Sequence, residues 1–420
     1  MSFNPIPLIL LLTGAYMLVR LRFFYIRHPI KCIKVALGAL RERENLTAFT
    51  LALAGTLGVG NVLGVAVGLM VGGPGSLFWI FFSAIPAGAI KYAEVLVASD
   101  FGKRGMVGAV RESLGRSGRP LSALYCLCCL TLAFVMGGAL QCRSVVDATA
   151  EIVGFDGLWT GAVLTLLVAA AVLGFGRRMG KITLYIIPMT TILYIIVMIL
   201  TVFAKIERLP DVIKEVVSDA FSPEAGIGGA LAIINSRAMR EGFARGILSN
   251  EAGAGTSSLG HITGADLQPG VRALFGVLEV FFDTSVLCTL TGIAILVSTP
   301  DLRTAASGME LVMSSVGSAI GAAPAMVVAL SVWAFAYSTI VCWYYYGSEC
   351  ISHLIGCGEG AYRVIYLAFT FLGSLIRESA LIGVADVMLL VMTLITLPTL
   401  IKNSDRIVHL SESVGFIKIK

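Results

Sequence analysis

The sequence predicts an all-α, polytopic membrane protein with about eleven transmembrane helices. Three observations carry that reading. Hydrophobic residues make up 57% of the 420-residue chain and charged residues only 14%, whereas a water-soluble domain needs roughly 25% charge to cover its surface. The apolar residues gather into runs of about 20, enough to cross a bilayer core about 30 Å thick. The short loops between the runs alternate in charge, strongly basic and then neutral or acidic, the pattern that the positive-inside rule demands.

The runs read as helices over Ile6–Phe24, Leu46–Met70, Leu77–Ala98, Leu121–Ala148, Leu158–Phe175 and Ile182–Ala204. A less regular, Gly-rich segment follows at Ile227–Leu248. Then come Ala273–Val297, Pro324–Tyr346, Tyr362–Leu375 and Ala380–Ile401. Met1 to Pro5 holds no basic residue, and no small-residue cleavage site follows the first run. A retained first helix fits better than a cleaved signal peptide.

The loop charges set the orientation. Arg27, Lys31, Lys34, Arg41 and Arg43 fill the first loop, whereas Gly72–Ser76 carries no charge. The next loop holds Lys103, Arg104, Arg111, Arg116 and Arg119, and the one after is acidic, with Glu151 and Asp156. Arg177, Arg178 and Lys181, then Arg237, Arg240, Arg245 and Arg272, then the tail's Lys402, Arg406, Lys418 and Lys420 continue the alternation, with a net acidic loop around Pro210. Most of the 31 lysines and arginines thus fall on one side. The expected placement is a plasma membrane (a bacterial inner membrane), with the N-terminus outside and the C-terminus in the cytoplasm.

Several chemistries find no support. The net charge of +5 is spread over membrane-flanking loops, so no nucleic-acid partner is expected. The sequence has no GxxxxGK[ST] phosphate loop and no HExxH motif. Cys126, Cys128 and Cys129 share one apolar segment without zinc-type spacing and read as packing residues.

Two places interrupt the apolar pattern. The first is AGTLGVGNVLG, Ala54 to Gly64, which puts Gly55, Gly58, Gly60 and Gly64 with Thr56 and Asn61 in mid-membrane. A glycine inside a helix costs about 1 kcal/mol against alanine, and unwound backbone in a bilayer survives only where it lines protein or a wet cavity. Such a break exposes carbonyls that suit Na⁺ or an ammonium group and amides that suit a carboxylate; close helix packing through glycine is the alternative. The second is Ala225 to His261, where Gly226, Gly228 and Gly229 suggest another break. There Asn250, Glu251, Gly253 and Gly255 read as a structured cytoplasmic turn, solvated or acting as a gate.

Polar residues inside the runs are expensive in lipid. Gln141 beside Gly137 and Gly138 reads as an interhelical hydrogen bond or a substrate contact. Ser338 and Thr339 either bond back to their own helix or face the break and complete a sodium site. Asp283 reads as a partner for an interior donor or as an ion site. Lys91 and Glu94 read as an i,i+3 pair with a snorkelling lysine, and His261 as a loop or cap residue.

These motifs resemble the alanine-or-glycine:cation symporter family over about Gly14 to Pro398. GVGNVLGVAVGLMVGGPGSLFW with KYAEVLVA, GRRMGK, ARGILSNEAGAG, FFDTSVLCTLTGIAILV and STIVCWYYYGSE stand in order. The resemblance implies a leucine-transporter-like core of two inverted five-helix repeats (46–204 and 205–401). One extra helix and a basic loop precede them (1–45), and a basic tail follows (402–420). It also implies Na⁺-coupled, or H⁺-coupled, import of alanine or glycine by a chain working as a monomer with no cofactor. By position it makes Thr56, Gly58, Gly60, Asn61, Gln141 and Trp343 substrate-binding, and gives Thr56, Asn61, Ser338 and Thr339 to Na⁺. The chain departs from the family at RGMVGAVRESLG, which lacks the usual tyrosines, and at Gly138, Arg237 and Thr256 to Ser258. A passive channel or facilitator would use the same glycine-rich path. An intramembrane enzyme would need a converging nucleophile and base, which the sequence lacks.

Overall fold

Among the residues that the computed structural model describes, every regular element is a helix. These residues are 6–414 apart from 175, 223–235, 265, 300, 303–304, 306 and 357, with the side chains of 6, 174–184 and 413 also left out. The Gly226–Gly229 cluster and the side chains of Arg177, Arg178 and Lys181 therefore lie outside the described residues.

The chain opens with α1 (Ile6–Arg20) and then α2 (Pro29–Ala39), a short helix inside the first basic loop. Proline at its first turn presets φ for the helix, and Cys32 and Ala36 form its buried stripe. Next come α3 (Arg43–Thr56) and α4 (Gly60–Gly72), two halves of one apolar run that meet at 45°. Leu57 ends α3 at φ −73° and ψ 59°, and the first turn of α4 is a wide π turn over Gly60–Gly64. Glycines at 55, 58, 60 and 64 lower the helix propensity at this point.

The scaffold behind the break is α5 (Ser76–Asp100), buried along most of its length. The next basic loop contains α6 (Gly105–Ser113). Then come α7 (Gly115–Val153), α8 (Gly157–Gly174), α9 (Gly176–Ala204) and α10 (Leu209–Ala220). The second half holds α11 (Arg237–Asn250), the single turn α12 (Ser258–His261), α13 (Pro269–Ser298) and α14 (Gly308–Ile320). It closes with α15 (Ala322–Ile355), α16 (Glu359–Leu372), α17 (Glu378–Lys402) and α18 (Ser404–Ser411). Among the described residues, six helices are individually long and apolar enough to cross a membrane, and the bent α3–α4 pair makes up to seven.

α5 packs against α13, α11 and α1, and α15 packs against α3, α7 and α9. The break therefore lies between a scaffold face and the long helix α15. Exposed leucines, isoleucines and phenylalanines on α8 and α9, such as Leu166, Leu200 and Phe203, give the outer surface a lipid-compatible character.

Two expectations fail on one patch. Residues 250–258 form no solvated turn: each is buried. Lys91 does not snorkel but is fully buried, bonding Ser257 and Glu279 rather than reaching solvent. His261 stands at a helix end, closing α12, and is fully buried against Glu279. Long-range packing of α5, α12 and α13 removes Lys91 and His261 from water.

Candidate binding site at the helix break

The break frees backbone groups on both of its sides, and side chains from two other helices take them up. On the α3 side, Thr339 Oγ1 donates to the Ala54 carbonyl at 2.8 Å. Trp343 Nε1 donates to the Gly55 carbonyl at 3.2 Å, and Cys342 Sγ reaches the Leu51 carbonyl at 3.2 Å. All three come from one stripe of α15. On the α4 side, the Val59 N–H donates to Gln141 Oε1 at 3.1 Å. Gln141 Nε2 donates to the Met136 carbonyl at 3.1 Å, where a π stretch over Ala133–Ala139 widens α7.

Two glycines make the convergence possible. A Cβ on Gly58 would lie 2.9 Å from Thr339 Oγ1 and 3.1 Å from Gln141 Oε1. A Cβ on Gly137 would lie 2.3 Å from Trp343 Cβ, so only glycine lets α7 and α15 cross there. Gly58, Gln141, Thr339 and Trp343 thus share one closed, buried shell.

Other predicted residues sit differently. Ser338 Oγ donates to Ala334 and Phe335 carbonyls of its own helix, at 2.9 Å each. Thr56 Oγ1 likewise turns back to Ala52 (3.4 Å) and Leu53 (3.5 Å). Gly60 faces the end of α11, its hypothetical Cβ 3.8 Å from the Leu248 carbonyl.

Asn61 belongs to a second polar node, on the side of the break that faces α11 and α13. Ser249 Oγ lies 2.6 Å from Asn61 Oδ1 and also against Asp283 Oδ2. Thr284 Oγ1 donates to Asp283 Oδ2 at 2.9 Å, and Asn250 Nδ2 donates to Thr284 Oγ1 at 3.0 Å. Asn61 Nδ2 and Asp283 Oδ1 are buried without a hydrogen bond. Asn250, expected in a cytoplasmic turn, instead joins this node with Ser249 and Thr284, for which the sequence reading has no role; the polar pairs Ser249–Asn250 and Asp283–Thr284, each in an apolar stretch, are the signal.

Beyond α4, Arg245 of α11 pairs with Asp386 of α17 at 2.9 Å and with Glu241 at 3.6 Å. Its stem packs where a Gly68 side chain would stand.

The arrangement has a definite chemistry. The C-terminal end of α3 carries partial negative charge and the N-terminal end of α4 partial positive charge, and they meet inside one buried shell. That pairing suits a zwitterion and a hard monovalent cation. Among the described residues no group of three or more His, Cys, Asp or Glu could hold a metal ion, so a transition-metal centre has no ligand set there.

The model of the sodium:alanine symporter family matches residues 2–412. A Haemophilus influenzae protein described as an uncharacterized transporter is 32% identical over 91% of this chain and 87% of its own length. The sodium/alanine symporter AgcS of Methanococcus maripaludis is 31% identical over 99% of this chain and 95% of its own length. A sodium/proton-dependent alanine carrier protein of a Bacillus species is 26% identical over 84% of each. The crystal structure of MhsT in complex with L-phenylalanine superposes with a TM-score of 0.64 at 15% identity, over 89% of this chain and 95% of that one. A Na⁺-coupled sialic acid symporter gives 0.54 at 12% identity, over 99% and 88%. The fold is therefore the leucine-transporter-like one expected from the resemblance.

Proposed function

The chain belongs to the sodium:alanine symporter family, and from that premise we propose that it imports alanine or glycine together with Na⁺ by alternating access. It is a multi-pass membrane transporter rather than an enzyme. The observation that carries the reading is the break itself. Freed carbonyls at Ala54 and Gly55 and a freed amide at Val59 are held by Thr339, Trp343 and Gln141 inside a closed shell.

In this reading the substrate carboxylate takes the amides near Gly60 and Asn61, at the positive end of α4. The ammonium group takes carbonyls at the end of α3 beside Gln141. Na⁺ takes the Ala54 carbonyl with Thr339 Oγ1, and Thr56, Asn61 and Ser338 join only if their side chains turn from their present partners. Asp283 Oδ1, buried without a hydrogen bond, gives the node beside Asn61 an open oxygen acceptor that suits a cation. The basic loops support an outside N-terminus and a cytoplasmic C-terminus.

The test is uptake in proteoliposomes. A Na⁺ gradient is expected to accumulate alanine above its external concentration, and Asn61→Ala to abolish this. Equilibration without accumulation would show a facilitator instead, and full uptake by Asn61→Ala would remove Asn61 from the site.

A further inference from the structure

Between the break and the basic-loop end of α5 lies a charged cluster that the symport reading does not use. Lys91, Glu94, Glu251, His261 and Glu279 are each 0–1% exposed. Lys91 Nζ lies 2.8 Å from Ser257 Oγ and 3.3 Å from Glu279 Oε1. The other Glu279 oxygen lies 2.6 Å from His261 Nε2. Glu94 Oε1 accepts the Gly253 N–H at 2.8 Å, and Thr256 Oγ1 donates to Glu251.

The charges do not balance: three carboxyl groups face one ammonium. Among the described residues, the other titratable groups that act on the three carboxyl groups add nothing positive except the histidine. Asp283 follows on α13; Tyr125 comes from α7, and Tyr346 and Cys342 come from α15. Uncompensated carboxylates are not stable in a dry interior. Protons on the carboxyl groups or on the His261 imidazole restore neutrality. Buried atoms remain open for them: Glu94 Oε2, His261 Nδ1 and, on a third helix against the same segment, Tyr125 Oη make no hydrogen bond. Tyr125 Oη stands 3.1 Å from where a Gly255 Cβ would be. The described residues hold no metal-type ligand set that would favour a divalent cation instead.

We propose that the Lys91–Glu94–Glu279–His261 cluster is a proton-binding site that sets the pH dependence of transport through the 251–261 segment. The proposal rests on the symport reading. The step is a proton passing from water to a carboxylate oxygen or the imidazole and back, with no other bond changed. Lys91–Ser257 and Glu94–Gly253 tie the segment to α5, His261–Glu279 ties it to α13, and Lys91–Glu279 joins those two helices beneath it. The segment continues directly from Ser249 and Asn250, which touch the node at Asn61. Protonation of Glu94 or Glu279 weakens those ties and frees the segment to move, so proton binding and substrate release become linked, and the linkage is reciprocal.

The experiment uses the full chain in proteoliposomes with alanine outside and saturating Na⁺. The parent is expected to change its uptake rate at least about fivefold between about pH 6 and about pH 8, the low end of site-to-site coupling. Glu94→Gln and His261→Gln are expected to keep Na⁺-driven accumulation while flattening the profile. A parent that accumulates alanine at a pH-independent rate, or variants that keep the parent's profile, overturn the proposal and leave symport standing. A parent that never accumulates alanine overturns the symport reading. The cluster is then judged on detergent-solubilised protein: equal proton uptake by parent and Glu94→Gln in a pH titration overturns it, and fewer protons in the variant support it. Matching melting temperatures exclude a folding defect.

Discussion

Thr339→Val changes one atom type at almost constant shape. The hydroxyl that donates to the Ala54 carbonyl at 2.8 Å becomes a methyl. Both residues are buried, so the carbonyl cannot turn to bulk water for a replacement. Leaving a buried acceptor without its donor costs about 1–3 kcal/mol. A Na⁺ bound at this carbonyl would also lose the Thr339 oxygen as a ligand. Taking about 2 kcal/mol for the total, and about 1.4 kcal/mol per factor of ten, the Na⁺ concentration for half-maximal alanine uptake rises roughly 30-fold. Thr339→Ser keeps the oxygen and is expected to stay near the parent. The assay is alanine uptake into proteoliposomes over a Na⁺ series at fixed membrane potential. Equal Na⁺ dependence in Thr339→Val and the parent would refute the assignment of this hydroxyl to the ion. A Thr339→Ser variant as impaired as Thr339→Val would mean that packing rather than the hydroxyl matters.

Gly58→Ala puts a methyl 2.9 Å from Thr339 Oγ1 and 3.1 Å from Gln141 Oε1; overpacking of about 1–3 kcal/mol should lower alanine affinity at least about fivefold, read by uptake competition. Gly137→Ala meets Trp343 Cβ at 2.3 Å and should lower the melting temperature in detergent. Gly317→Ala, with nothing within 4 Å of its Cβ, should raise it, since alanine is the better helix former by about 1 kcal/mol. Asp386→Asn removes the 2.9 Å partner of Arg245, whose side chain is 7% exposed. Because Asp386 is 34% exposed, solvent screens part of the pair, and a loss of about 1–2 kcal/mol is expected, seen as a lower melting temperature that Arg245→Met with Asp386→Leu restores.

The sequence by itself determined the solvent, the helical class and the location of the break. Twenty-residue apolar runs and alternating loop charges are local properties, and so is the glycine density from Gly55 to Gly64. The motif order was enough to bring Gln141 and Thr339 to that break, because each sits at a recognisable spot on its own helix. Tertiary structure decided which hydroxyls face the break. Ser338 and Thr339 are adjacent, yet only Thr339 points across, because a one-residue step rotates a helix face by about 100°. It also decided the fate of the charges. Lys91 and Glu94 looked like a surface pair because they stand three apart near a helix end. Their true partners, Ser257, Glu279 and the Gly253 amide, lie far away in the chain. Burial of an ion depends on what folds over it, and that information sits in another helix rather than in the residue's own neighbourhood.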